Sequence, residues 1–189
     1  MARIHSPGDL ERIREEITAE RDPKKPRVTI CAGTGCLACG ASEVIAAFGE
    51  EIGKQGLEGK VEIRSTGCHG FCEKGPIVVI EPEETCYLSV EPRDVAEITT
   101  GALVEKTVVD RLLYVDPRTG EKSVKESDIP FYKNQKRIVF GPNRKIDPQS
   151  IEDYIAIGGY AALARALFGM TPDQVIAVPS VVAFDPELC

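Results

Sequence analysis

CAGTGC at residues 31–36 and STGCHGFCEKGP at residues 65–76 decide how this chain is read. The first holds Cys31 and Cys36 at a C-x4-C spacing, the second holds Cys68 and Cys72 at C-x3-C, and Cys39 follows Cys36 at C-x2-C. Five of the seven cysteines therefore fall in or beside two short glycine-rich stretches. Four thiolates delivered in two pairs are what a [2Fe–2S] cluster or a tetrahedral zinc ion needs. Glycine belongs beside them, because a backbone that bends tightly around inorganic sulfide needs positive φ and has no room for Cβ atoms. Gly33, Gly35, Gly67 and Gly70 stand where that requirement falls.

Outward from the cysteines, RVTI (27–30) is a short β-branched strand that delivers Cys31 at its C-terminal end, and VEIRST (61–66) is a second strand ending at the other loop. Between them, ASEVIAAFGEEIGKQG carries Val44, Ile45, Phe48 and Ile52 on one helical face. Two strands that both run into cysteine loops bring those loops to the same end of one sheet. PIVVIEP and CYLSV, separated by the turn-like EPEET, read as a hairpin, and EPRDVAEITTGALV as a helix with Val95 and Ile98 inward. The order β-α-β-β-β-α over residues 27–104 predicts an α/β, thioredoxin-like mixed sheet flanked by helices.

The flanks are of different character. Residues 1–26 hold a helix capped by Ser6, with Pro7 in its first turn and Leu10, Ile13 and Ile17 as an apolar stripe, which reads as a docking helix. Residues 105–136 contain a hairpin-like turn at DPRTGEK and few core-forming residues, so they are expected to be an extended linker that packs on a neighbour. In residues 137–189, RIVF is a strand candidate. A helix pair comes next, capped at Asp147 or Ser150, broken at Gly158-Gly159 and lined in its second member by Tyr160, Leu163, Ala164 and Leu167. TPDQVI starts another helix, and the apolar tail AVPSVVAFDPELC has no assigned structure.

Composition narrows the function. With 189 residues, 42% hydrophobic and 28% charged, the chain can bury a core, and its formal charge of −7 argues against nucleic acid or an acidic membrane as partner. No apolar run is long enough to span a bilayer and no signal-peptide core stands at the N-terminus, so a cytoplasmic location is expected. Thiols stay reduced there, which favours metal or redox chemistry over structural disulfides.

Spacing alone leaves the ligand set open. Cys31, Cys36 and Cys39 fit the C-x4-C-x2-C run of plant-type ferredoxins, with Cys68 as a distant fourth ligand and Cys72 spare. If the two paired loops bind instead, the set is Cys31, Cys36, Cys68 and Cys72, and Cys39 is spare. The second set is favoured. Cys68 and Cys72 share one tight loop, whereas Cys39 opens a helix and can turn into the helix–sheet interface. Zinc is disfavoured because zinc knuckles present C-x2-C pairs. Cys36 and Cys39 also imitate a dithiol, with Pro76 placed like a thioredoxin proline, so a thiol–disulfide oxidoreductase is the alternative from another class; it leaves Cys31, Cys68 and Cys72 without a role. Cys86 reads as a core residue, His69 as an exposed loop side chain or a hydrogen-bonding tuner, and Phe71 and Pro76 as a shield against water.

On these motifs residues 27 to about 104 resemble the thioredoxin-like [2Fe–2S] ferredoxins, a fold that also occurs as the small subunit of complex I. The resemblance implies one-electron transfer and the ligands Cys31, Cys36, Cys68 and Cys72. LLYVDPRTGEK, IPFYKNQKRIVF and IDPQSIEDYIAIGGYAALARALFGMTPDQVI are similar to the opening of the FMN- and NADH-binding subunit of complex I and of its relatives in NAD(P)-linked [FeFe]-hydrogenases. That similarity implies flavin- and iron–sulfur-containing partner subunits, with a homodimer as a further possibility. After Val175 the glycine-rich stretch of that subunit does not appear and no G-x-G-x-x-G loop occurs, so FMN and NAD(P) are not expected on this chain.

Overall fold

The computed structural model describes residues 4–138 and 140–177. It divides into two compact units, Arg21–Tyr154 and a second made of Met1–Glu20 with Ile155–Cys189. Among the described residues no helix is long and apolar enough to cross a membrane.

The larger unit is built on a four-stranded sheet in the order β2-β1-β3-β4, from β1 (Arg27–Cys31), β2 (Glu62–Thr66), β3 (Val78–Glu81) and β4 (Thr85–Tyr87). β1 and β2 are parallel, with Cys31 opposite Thr66, and the β3–β4 hairpin adds antiparallel on the other side of β1. The parallel register puts Cys31 and the loop after Thr66 at one end of the sheet, as the two strand-to-loop junctions require. Strand alternation divides the core in two. On one face Val28, Ile30, Val78, Ile80 and Tyr87 pack against Val44 and Phe48 of the helix Ala41–Lys54, and against Val95 and Ile98. On the other face Cys31, Val79 and Cys86 pack with Cys36, Ala41, Phe71 and Ile77. The segment 91–104, expected as one helix, holds a 3-10 turn, a short α-helix Val95–Ile98 and the start of a π-helical stretch Thr99–Glu105.

Residues 105–136 pack on this same chain. Val109, Leu112 and Leu113 complete the first core, while Ile129 and Tyr132 cap the second. DPRTGEK does turn a hairpin, between β5 (Tyr114–Val115) and β6 (Lys122–Ser123). The apolar residues here are spaced without period, which is why they do not announce a core in the sequence. RIVF forms no strand in its described residues: Ile138 and Phe140 are exposed and Arg137 is drawn to the second cysteine loop. Beyond it, the outer edge of β2 is covered. The Arg64 guanidinium donates to the carbonyl of Lys145 at 3.2 Å, and Asp153 pairs with Arg21 at 2.5 Å and with Arg64 at 3.4 Å. Ser150 is the cap of the helix Ile151–Ala156, accepting from Asp153 N–H at 3.1 Å.

In the smaller unit the helix Pro7–Ala19 starts as its sequence dictates. Ser6 Oγ accepts from Asp9 N–H at 3.2 Å and the Asp9 carboxylate accepts from Ser6 N–H at 3.0 Å, a reciprocal capping box. Leu10 and Ile13 pack on Ile155, with Ile17 and Ala164 against them. Gly158, at φ +91°, breaks the helix pair as expected. The expected stripe on the second helix, Ala161–Gly169, is mostly turned outward: Tyr160, Leu163 and Leu167 are exposed and only Ala164 packs inward. A small side chain there lets the helices approach closely. The tail 178–189 lies outside the described residues.

Candidate metal centre

Cys31 ends β1 and is buried; Cys36 lies one turn on, buried in the short helix Thr34–Ala38. Cys68 is half-buried in the loop after β2, and Cys72, exposed, starts a 3-10 turn. The thiols come in pairs. Cys68 Sγ and Cys72 Sγ are 3.5 Å apart, and the Cys36 thiol donates to Cys31. Among the described residues no three Cys, His, Asp or Glu side chains gather closely enough for a single ion. Two pairs suit a two-iron centre, in which each iron takes two thiolates.

The pairs are interlocked through glycines. A Cβ on Gly33 would stand 2.9 Å from Cys68 Cβ and 3.3 Å from its Sγ, and one on Gly35 would stand 3.2 Å from Cys72 Sγ. One on Gly75 would stand 2.6 Å from Cys36 Sγ. Each loop thus touches the sulfurs of the other across positions that only glycine can fill, a cradle of soft donors with its Cβ atoms removed. Gly70 serves differently, by its φ of +93°, and Gly67 backs on Asn143 rather than on a cysteine. Gly75 is not singled out by the sequence, where it reads only as the residue before Pro76.

Electrostatics favours thiolate at the buried end. The Cys36 S–H···S bond, followed by backbone N–H groups of His69 and Gly33, holds the Cys31 thiol down at about 5 against the opposing effect of burial. Cys36 is pushed up by its hydrogen bond with Cys31 and by burial, and Cys72 is raised chiefly through its hydrogen bond with Cys68. Metal binding removes these protons, so loading releases them. This arrangement does not suit a Cys36–Cys39 dithiol, whose attacking sulfur must be accessible: Cys36 is 1% exposed. Cys39 sits exposed at the end of its helix, not in the helix–sheet interface. Cys86 is a core residue, its thiol pushed up to about 12 by burial.

His69 corrects the expectation of an exposed side chain, being 1% exposed. Its Nδ1 lies 2.6 Å from Glu126 Oε1 and its Nε2 2.9 Å from Thr66 Oγ1. Burial pushes it down to about 4, aided by Arg144 and Arg137 and opposed by Cys31. The neutral ring then donates from Nδ1–H to the carboxylate, with Nε2 against the Thr66 hydroxyl. Phe71 is buried as expected, stacked on Phe131 at 4.4 Å. Glu126, Arg137 and Arg144 carry no sequence signal, standing more than 50 residues from the loop they touch.

Known proteins are similar to this part of the chain. Residues 18–102 match the family model described as thioredoxin-like [2Fe–2S] ferredoxin. The chain is 38% identical over 77 residues to a 2Fe–2S ferredoxin of Clostridium pasteurianum, covering 41% of this chain and 76% of that one. It is 35% identical over 75 residues to the NADP-reducing hydrogenase subunit HndA of Solidesulfovibrio fructosivorans, covering 38% of this chain and 43% of that one. Among solved structures, the wild-type thioredoxin-like [2Fe–2S] ferredoxin of Aquifex aeolicus matches with a TM-score of 0.46 and 31% identity, over 49% of this chain and 99% of that chain. The paired cysteine loops at one end of the sheet and the identity to ferredoxins across most of their length lead to one conclusion: this chain belongs to the thioredoxin-like [2Fe–2S] ferredoxin family, iron–sulfur proteins of electron transfer.

Proposed function

We propose that Cys31, Cys36, Cys68 and Cys72 are the ligands of the [2Fe–2S] cluster, and that the chain passes single electrons within an NAD(P)H-linked redox complex of hydrogenase or NADH dehydrogenase type. The interlock of the two loops carries the ligand set, since Gly33, Gly35 and Gly75 bring the sulfurs of Cys68, Cys72 and Cys36, and not that of Cys39, against the opposite loop, while the His69 N–H reaches Cys31. When bound, the cluster supplies a one-electron carrier. The protein's own share is to hold and shield it. Backbone N–H groups of Gly33 and His69 donate to Cys31, Gly70 N–H donates to Cys68 Sγ at 3.3 Å, and Phe71 excludes water. Such N–H···S bonds stabilise negative charge on sulfur and favour the reduced state.

Membership of a complex is supported by the similarity to HndA and by the resemblance of stretches within residues 112–176 to the start of a flavin-binding subunit. In this reading residues 27–104 are the ferredoxin proper and 105–136 tie it to the C-terminal helices. Residues 1–26 with 137–189 serve assembly onto flavin- and iron–sulfur-containing subunits, which carry FMN and NAD(P).

Anaerobic purification tests the ligand set. The chain should bind two irons and two sulfides and show a [2Fe–2S] EPR signal after dithionite. Cys72→Ser should abolish or rewrite that signal, and Cys39→Ser should leave it unchanged. The reverse outcome would replace Cys72 by Cys39; an iron-free chain with an active dithiol would overturn the cluster reading.

A further inference from the structure

The three residues between Cys68 and Cys72 are each gripped by side chains that lie beyond the family's matched residues 18–102. At His69, Glu126 takes the ring Nδ1–H at 2.6 Å, and the other carboxylate oxygen of Glu126 is paired with Arg144. Arg137 donates to the His69 carbonyl at 2.6 Å, and its guanidinium fills the space where a Gly70 Cβ would stand, 2.9 Å from Nη2. Phe131 lies flat on Phe71, rings 4.4 Å apart and 6° from parallel, while Tyr132 meets Phe71 edge-on at 6.0 Å. The Arg137 guanidinium in turn lies 5.7 Å from the centre of the Tyr132 ring. A nearly buried carboxylate, two guanidiniums and a stacked ring pair therefore converge on one tripeptide, from a segment outside the family's matched residues.

We propose that Glu126, Phe131, Tyr132, Arg137 and Arg144 form a strap that positions the second cysteine loop for the cluster and sets its potential through the charge of Arg137. This rests on Cys68 and Cys72 being ligands. Arg137 is the positioning residue that decides it. Its two grips fix the backbone between the two sulfurs, and its cation stands against the loop that would hold the centre, which would gain one negative charge on reduction. Removing that charge disfavours the reduced state, and removing the fork frees the loop. Glu126 and Arg144 hold the same loop through the His69 ring, where a buried carboxylate without its guanidinium would be costly.

The test uses the full chain, purified anaerobically, as wild type, Arg137→Ala and Arg137→Lys. Arg137 is only partly buried, so its truncation should leave thermal unfolding of the core intact. Arg137→Ala should release iron to a chelator about tenfold faster, shift the potential negative and alter the EPR line shape. Arg137→Lys, which keeps the charge but not the fork, should restore the potential more fully than the release rate. Hydrogen exchange of the amides at residues 69–72, read on the apo chain as well, should quicken in Arg137→Ala. Wild-type release, potential and loop exchange in Arg137→Ala would overturn the strap. A wild-type chain without a [2Fe–2S] signal would instead fault the ligand set, and loop exchange would still judge the strap.

Discussion

At the scale of single residues, the site is governed by what is missing from it. Gly75 and Gly49 make the contrast plain. A methyl group at Gly75 would meet Cys36 Sγ at 2.6 Å, whereas one at Gly49, within the helix Ala41–Lys54, meets nothing within 4 Å. Gly75→Ala is therefore expected to fold but to assemble little cluster, measured as iron and sulfide per chain. Gly49→Ala should raise unfolding free energy by about 0.5–1 kcal/mol, because alanine loses less backbone freedom in a helix. His69 shows why a buried residue can be illegible in sequence. A histidine between two glycine-flanked cysteines looks exposed, since nothing near it in the chain can satisfy both ring nitrogens. Its partners, Thr66 and Glu126, lie three and 57 residues away, and the farther one is what makes burial possible.

Among elements, the segment after the π-helical stretch changes most on folding. It looks like a tether in sequence because its apolar residues keep neither a helical nor a strand period. In place they close both faces of the sheet. Ile129 is fully buried while Val124, five residues earlier, is 40% exposed. Ile129→Ala should cost about 2–5 kcal/mol in urea unfolding, and Val124→Ala should stay within about 0.5 kcal/mol of wild type. Equal, small effects at both positions would mean that this segment does not belong to the core. The strands and the helix between the cysteine loops are legible for the opposite reason. RVTI and VEIRST are short, β-branched and bounded by turn residues, and Val44, Phe48 and Ile52 recur at helical spacing.

Taken as a whole molecule, the chain concentrates the centre and its supports in one unit. Arg21–Tyr154 contains all four proposed ligands, both core clusters and the strap, and Asp153 with Arg21 and Arg64 joins its two ends to the sheet edge. A fragment of residues 21–154 should thus fold and give the same EPR signal as the full chain. A fragment ending at residue 104, which the ferredoxin match alone would suggest, should unfold more easily and lose its cluster faster. If both fragments matched the full chain, residues 105–154 would have no part in holding the centre.

By itself, the amino-acid sequence determined the chemistry: two cysteine pairs in glycine loops, each at the end of a β-branched strand, with a helix of the right period between them. Those signals are local, written within a few residues of where they act. Tertiary structure decided the rest. It left Cys39 exposed, brought Gly75 against Cys36, buried His69 on Glu126, and laid Phe131 and Arg137 against the second loop. Each of these depends on groups far apart in the chain meeting in space, where burial and charge compensation are settled and sequence spacing is silent.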